Sequence, residues 1–444
     1  MQGIALALLR PQADTGRATP PSVMGRLRDL TLSWSRFHHA GPMLEDDSLE
    51  RLLTRAHEHG ARRCFVQRWG HVIDEVWRPG VAGPIPALAQ LDGTAGWMLA
   101  CDSEAVDGGC FFVDLDRWVE AGRPDLRSPA VPRGPLPEET REASVDLLAA
   151  WQEAPARIES WLGEGIATFD AHDDSNLDPR VRRYLGSLQR LTGNLRRGVF
   201  VWNLEPYDDI ENPPSDAGPL TSLFSVAAGL KSNRLLETHG FDPTTRVVFF
   251  DYSPPGLEFR RRLLEGWNGR DYPDFLRRLF RELPEECAFY LLWDEATPSD
   301  PDWDRMAERW CHELDAWGGA ETLARHWRSY RQLDHSFVYC DLLGSSPPEV
   351  ADLLEPEERV AIWWSNAFST VLGNWFQDGD TRASRFDRWL DTLAKRTPRA
   401  ILYGATSDNV SVHGTRAGDY AAWHREQGGD RLHPAARHHT AIRF

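Results

Sequence analysis

The chain has 444 residues, of which 41% are hydrophobic and 26% charged, and a formal net charge of -17. That length exceeds one compact core, so two domains are expected. The composition excludes wholesale disorder, and the negative balance argues against nucleic acid or an anionic membrane as a partner. Basic charge is carried almost entirely by arginine: among 50 basic residues only Lys231 and Lys395 are lysines.

The six cysteines are Cys64, Cys101, Cys110, Cys287, Cys311 and Cys340. They form no C-x-x-C pair and no zinc-type spacing with histidine, so reduced thiols in a cytoplasmic protein are expected, with no metal site. The opening run MQGIALALLRPQ lacks a basic leader and ends at Arg10-Pro11. It reads as a first strand rather than a signal peptide. No apolar stretch is long enough to span a membrane.

The first half is irregular. Strand character occurs at Cys64–Val66, Trp97–Cys101 and Cys110–Leu115, and a Pro/Gly-rich loop runs from Pro124 to Pro137. Helices are expected over Glu138–Leu162 and from about Pro179 to Leu191, then a strand at Gly198–Leu204. The polar stretch Glu205–Pro219 breaks both periodicities and marks the expected boundary, with domains over residues 1–215 and 216–444.

The second half alternates regularly. Strands are expected at Phe224–Ala228, Arg246–Asp251, Ala288–Trp293, Phe337–Asp341, Val360–Trp364 and Ala400–Tyr403. Helices are expected at Leu230–His239, Pro255–Trp267, Tyr272–Arg281, Asp302–Tyr330, Pro348–Leu354, Phe368–Trp375 and Ser384–Arg396. Continuous apolar strands alternating with helices predict an α/β fold, a Rossmann-like, mostly parallel sheet covered on both faces. The final run, Thr440–Phe444, would add a terminal strand. His433, His438 and His439 read as surface residues.

The segment from Phe224 to Ser253 is the most informative. A strand runs into Gly229, a helix follows, and a second strand ends in Asp251. Glycine allows close approach to the backbone, and an acid at the second strand's tip can accept both ribose hydroxyl hydrogens. A full G-x-G-x-x-G is absent, which disfavours a pyrophosphate cofactor and leans toward a phosphate-free adenosine. Ser253 can cap the next helix, and Tyr252 stacks on a ligand ring or packs internally.

This order of elements resembles a class I S-adenosylmethionine-dependent methyltransferase over residues 216–444. The resemblance implies S-adenosylmethionine as cofactor, with Gly229, Asp251, Tyr252 and Asp294 at its site. Asp294 would follow the third strand and face the adenine. Asp341 would follow the fourth strand, and Ser365 with Asn366 the fifth. Those two strand ends are expected side by side, with Ser365 and Asn366 contacting a small-molecule acceptor. His335 and Asp341 are the candidate catalytic groups, His335 as general base or as a structural histidine. Specialised metabolism is the setting this implies.

In the first half, DGGCFFVDLDRW resembles a short portion of GT-A glycosyltransferases. The pair Asp114 and Asp116 would then hold a divalent metal on a sugar nucleotide, or else cap a helix and face solvent. The acidic run Glu205–Asp209 would complete such a site or keep a loop soluble. Three functions therefore stand open: a small-molecule methyltransferase, a non-catalytic α/β partner protein with a degenerate cofactor site, and a glycosyltransferase-like enzyme. The 19 tryptophans serve core packing or line a pocket for a flat aromatic substrate.

Overall fold

The computed structural model describes residues 4–10, 19–38, 43–73, 98–100, 109–128, 130–136, 138, 141, 144–164, 177–186, 197–203, 218–282, 288–290, 295–296, 301–344, 347–356, 359–368, 379–405 and 411–427. It divides into two compact units, Met1–Leu191 with Asn374–Asp378, and Thr192–Gly373 with Gly379–Phe444.

The first unit contains β1 (Ile4–Leu9), α1 (Pro21–His38), β2 (Met43–Asp46), α2 (Leu49–Glu58), β3 (Arg63–Arg68) and β4 (His71–Ile73). There follow β5 (Met98–Ala100), β6 (Cys110–Asp114), α3 (Leu115–Glu120), β7 (Arg133–Pro135), β8 (Ser144–Asp146), α4 (Leu147–Glu153) and α5 (Pro155–Glu164). Its main sheet has the order β2-β1-β3-β6-β5-β7. β1 runs parallel to β2 and β3, whereas β6 is antiparallel to β3. Its core joins Leu52, Leu53, Val66, Val113 and Trp118. The helix expected over Glu138–Leu162 is broken. Ser144–Asp146 pairs with β4, Asp146 caps α4 by accepting the Ala149 N–H at 2.9 Å, and Pro155 opens a separate helix.

The second unit contains β9 (Gly198–Phe200), β10 (Leu220–Val226), α6 (Lys231–His239), β11 (Phe241–Asp251), α7 (Pro254–Gly266), α8 (Tyr272–Glu282), β12 (Ala288–Tyr290) and β13 (Glu295–Ala296). It continues with α9 (Trp303–Ala316), α10 (Ala320–Tyr330), β14 (Asp334–Tyr339), a 3-10 turn (Glu349–Leu353), β15 (Val360–Trp363), α11 (Gly379–Arg396), β16 (Ile401–Ala405), β17 (Ser411–Arg416) and α12 (Ala417–Gln427). The division places β9 in this unit, where it pairs with β12.

The main sheet has the order β14-β11-β10-β15-β16-β17. Its first five strands are parallel and β17 is antiparallel to β16. This is the Rossmann-like, mostly parallel α/β sheet expected. β15 is buried along its whole length and β10 almost so, as strands covered on both faces must be. From β10 the chain steps outward to β11 and β14, then returns to β15 on the other side. The topological switch point therefore lies between β10 and β15, and ligands in such sheets bind at its carboxyl end.

Three expectations are corrected here. Ala288–Tyr290 does not join the main sheet. It forms a small separate one, parallel to β9 and antiparallel to β13, because a short apolar run carries no mark of its partner. The third strand of the main sheet is instead β14, registered against β11 from Arg246↔Asp334 to Asp251↔Tyr339. The helix expected over Asp302–Tyr330 is two helices, because Gly318 and Gly319 both take positive φ, +70° and +111°. β17 falls in a tail that reads as merely polar in sequence. The final run Thr440–Phe444 and most of Phe368–Trp375 lie outside the described residues.

Candidate functional site

β10 ends at Val226 and the chain turns through Ala227, Ala228 and Gly229 into α6. Gly229 has φ +50°, in the left-handed region. A Cβ there would overlap the Asn203 carboxamide. Glycine is thus required as expected, but the group that approaches it is a protein side chain. Asn203 Oδ1 accepts the Lys231 N–H at 2.8 Å, and its Nδ2 donates to the Ala228 carbonyl at 3.4 Å. It caps α6 from outside, in place of Leu230, which makes no side-chain cap. The Gly229 N–H donates to the Phe200 carbonyl at 3.0 Å.

One side chain reaches all three loop carbonyls, sharing that of Ala228 with Asn203. Arg260, fully buried on α7, donates from Nε to Ala227 O and from Nη2 to Ala228 O, each at 3.2 Å, and also to Gly229 O. Its guanidinium lies 4.6 Å from the Phe249 ring centroid. A planar fork that binds three successive carbonyls fixes the loop's shape.

Asp251 ends β11 beside this loop. Its Oδ2 accepts the Ala227 N–H at 3.2 Å and its Oδ1 the Ser253 N–H at 2.9 Å. The residue is 9% exposed. Burial pushes its pKa up to about 6, against the pull of the Ser253, Ala227 and Tyr252 N–H groups and the Arg260 charge. Ser253 caps α7 as expected, accepting the Gly256 N–H at 3.1 Å with Pro254 and Pro255 in the first turn. Tyr252 is half-buried at the same edge.

Gly229, Asp251 and Tyr252 are therefore brought together. Ser365 and Asn366 follow the end of β15 across the switch point, both half-buried, and Ser365 takes φ +54°, which is costly for a residue with a Cβ. Asp341 follows β14, an edge strand, and is exposed. Its Oδ1 accepts the Leu343 N–H at 2.9 Å, a local turn. The strand ends bearing Asp341 and Ser365, expected from sequence to lie side by side, are not neighbours, because β11 and β10 stand between them.

His335 pairs with Val247, four residues before the Asp251↔Tyr339 pair, so it lies about 13 Å from that edge by strand rise. Its Nδ1 donates to Leu333 O at 2.8 Å, and burial lowers its pKa to about 4. It stacks with Phe249 and meets Tyr330 edge-on, in the manner of a core residue. Asp294 and the run Glu205–Asp209 lie outside the described residues.

In the first unit, Asp114 caps α3 by accepting the Arg117 N–H at 3.1 Å, and Asp116 lies 3.6 Å from His57 Nε2. Asp114 pairs with Arg63, at the amino end of β3 and opposite to the carboxyl edge where ligands bind. Among the described residues no group of three His, Cys, Asp or Glu side chains is placed to hold a metal. Among the described residues Trp202 and Trp267 each meet both Tyr272 and Trp310, which also meet one another, at 5.0–6.5 Å between centroids, and all four are buried in the core.

Sequence reasoning missed Asn203, Arg260 and Lys231. Arg260 opens a run of three arginines that reads as a solvated helix face. Lys231 is fully buried at the first position of α6, its Nζ 6.0 Å from the Trp363 ring centroid. The one signal for it is the rarity of lysine. No helix among the described residues is long and apolar enough to cross a membrane. No protein-family model and no curated protein matches the chain.

Proposed function

We propose that the carboxyl edge of the second unit binds a phosphate-free adenosine ligand, S-adenosylmethionine, for methyl transfer to a small cytoplasmic molecule. The observation that carries this reading is the juxtaposition of the left-handed Gly229 turn with the Asp251 carboxylate, 3.2 Å from the Ala227 N–H, beside the switch point. An ionised Asp251 retains lone pairs for two ribose hydroxyls. The loop N–H groups of Ala227, Gly229 and Lys231 are already taken by Asp251, Phe200 and Asn203, which disfavours a phosphate at this helix end.

The same occupancy favours a second reading. Asn203 and Arg260 fill the space and the carbonyls that a cofactor loop would keep open, as in a non-catalytic α/β partner protein. Calorimetric titration of the full chain with S-adenosylhomocysteine separates the two. Methyltransferase chemistry predicts saturable micromolar binding that weakens about tenfold or more in Asp251→Asn. No heat and no shift in thermal midpoint at millimolar ligand would leave the partner-protein reading.

A further inference from the structure

The main sheet of the first unit has a switch point of its own. From β1 the chain passes through α1 to β2 on one side, then through α2 to β3 on the other. The carboxyl ends of β1 and β3, where ligands bind in open α/β sheets, therefore lie side by side. This edge is the one opposite to Asp114. Arg10 directly follows β1 and Trp69 directly follows β3, and the Trp69 backbone N–H donates to the Leu9 carbonyl at 3.1 Å. The Trp69 ring packs on Leu8 and Met24. The guanidinium carbons of Arg10 and Arg28 lie 5.0 and 5.8 Å from its centroid.

Two features of this edge point to a ligand. The first is the Trp69 indole. The residue is 7% exposed, and its Nε1 is buried with no acceptor among the described residues, which is costly for a donor. The second is charge. Arg28 forks onto Glu45 through two 2.8 Å bonds and lies 3.8 Å from Asp29. Asp46 and Asp47 are held by Arg51, and Asp146 by Arg68. Each of these acids has its arginine. Arg10 is exposed, and its guanidinium meets no carboxylate among the described residues.

We propose that Arg10 and the Trp69 indole N–H together bind the carboxylate of a small molecule at this edge. One guanidinium without an acid matches one negative charge. Its planar fork suits a planar carboxylate, and the indole N–H adds a donor to the same group. The edge is poor in the backbone donors that cradle a phosphate. The Arg10 N–H is taken by the Asp46 carbonyl, that of Trp69 by Leu9 and that of Gly70 by Thr31 Oγ1. Arg10 is the exposed member of the pair, so the ligand enters from its side. The site does not depend on the adenosine reading of the second unit.

Nuclear magnetic resonance of the full-length protein with isotopically labelled tryptophan indoles tests this. The probes are butyrate, its neutral amide butyramide, and inorganic phosphate. Trp69→Phe identifies the Trp69 signal by its loss. Butyrate is expected to shift that signal with a midpoint of about 1–10 mM, whereas butyramide and phosphate leave it in place. Arg10→Gln, a change at an exposed residue, is expected to weaken butyrate about tenfold. An equal shift by butyramide, or unchanged butyrate binding in Arg10→Gln, overturns the carboxylate site. Phosphate binding tighter than butyrate overturns the ligand class. Should Trp69→Phe fail to fold, wild type and Arg10→Gln still decide: the absence of any indole signal that responds to butyrate and loses that response in Arg10→Gln refutes the proposal.

Discussion

Asp251 keeps its proton to about pH 6 in the folded chain, against 3.8 for a free aspartate. The folded state thus binds more protons than the unfolded state between those values. Its contribution to stability is complete below the unfolded pKa and is lost as pH rises through 6. By linkage the loss is about 3 kcal/mol. Urea unfolding of wild type and Asp251→Asn at a series of pH values measures it: wild type should lose stability relative to the variant between pH 4 and 7. The close approach of Asn203 to Gly229 allows a second experiment. Gly229→Ala forces a Cβ into Asn203 at a positive φ and should cost about 2–4 kcal/mol. Asn203→Ala removes the cap of α6, at about 1 kcal/mol. The double variant should cost less than the sum, because the side-chain overlap is gone while the 2.7 Å approach to the backbone nitrogen of residue 203 and the positive-φ penalty remain, as a double-mutant cycle in thermal unfolding would show. Spacing made Gly229 and Asp251 legible. Asn203 was not, because it stands 26 positions before Gly229, beyond a Pro-rich stretch, and local pattern carries no sign of such a contact.

At the scale of elements, helices were read well where caps and glycines punctuate the chain. α7 begins at its Ser253-Pro254-Pro255 signal, and α8 at Tyr272. The long helix through Gly318-Gly319 was misread because apolar periodicity continues on both sides of the break. His239 ends α6 and is tied to β16 through a 2.6 Å hydrogen bond between its Nε2 and the Tyr403 hydroxyl. Burial, with the Arg359 charge, lowers its pKa to about 4. The unfolded chain therefore binds the proton more readily, and this contribution is complete above pH 6.5 and lost as pH falls toward 4. His239→Gln should flatten the acid limb of the stability profile by up to about 3 kcal/mol. Tyr403→Phe should cost about 1 kcal/mol at pH 7. An unchanged acid limb in the glutamine variant would show that the imidazole is already charged in the fold.

For the whole molecule, alternation of apolar runs with helical patterns was enough to predict the mostly parallel α/β sheet of the second unit. The identity of its third strand was not legible. Ala288–Trp293 and Phe337–Asp341 both read as apolar strands, and only long-range pairing assigns the second of them, observed as Asp334–Tyr339, to β11. That exchange moves Asp341 beside the Asp251 strand and separates it from Ser365. The first unit was less legible still, because its strands are three to six residues long and its sheet mixes directions. The central proposal is that the edge formed by Gly229 and Asp251 receives a phosphate-free adenosine. A crystal structure of the protein grown with S-adenosylhomocysteine tests it most directly. The proposal predicts ribose hydroxyls on the Asp251 carboxylate. Crystals at saturating ligand with Asp251 still bound only to Ala227 and Ser253 would contradict it.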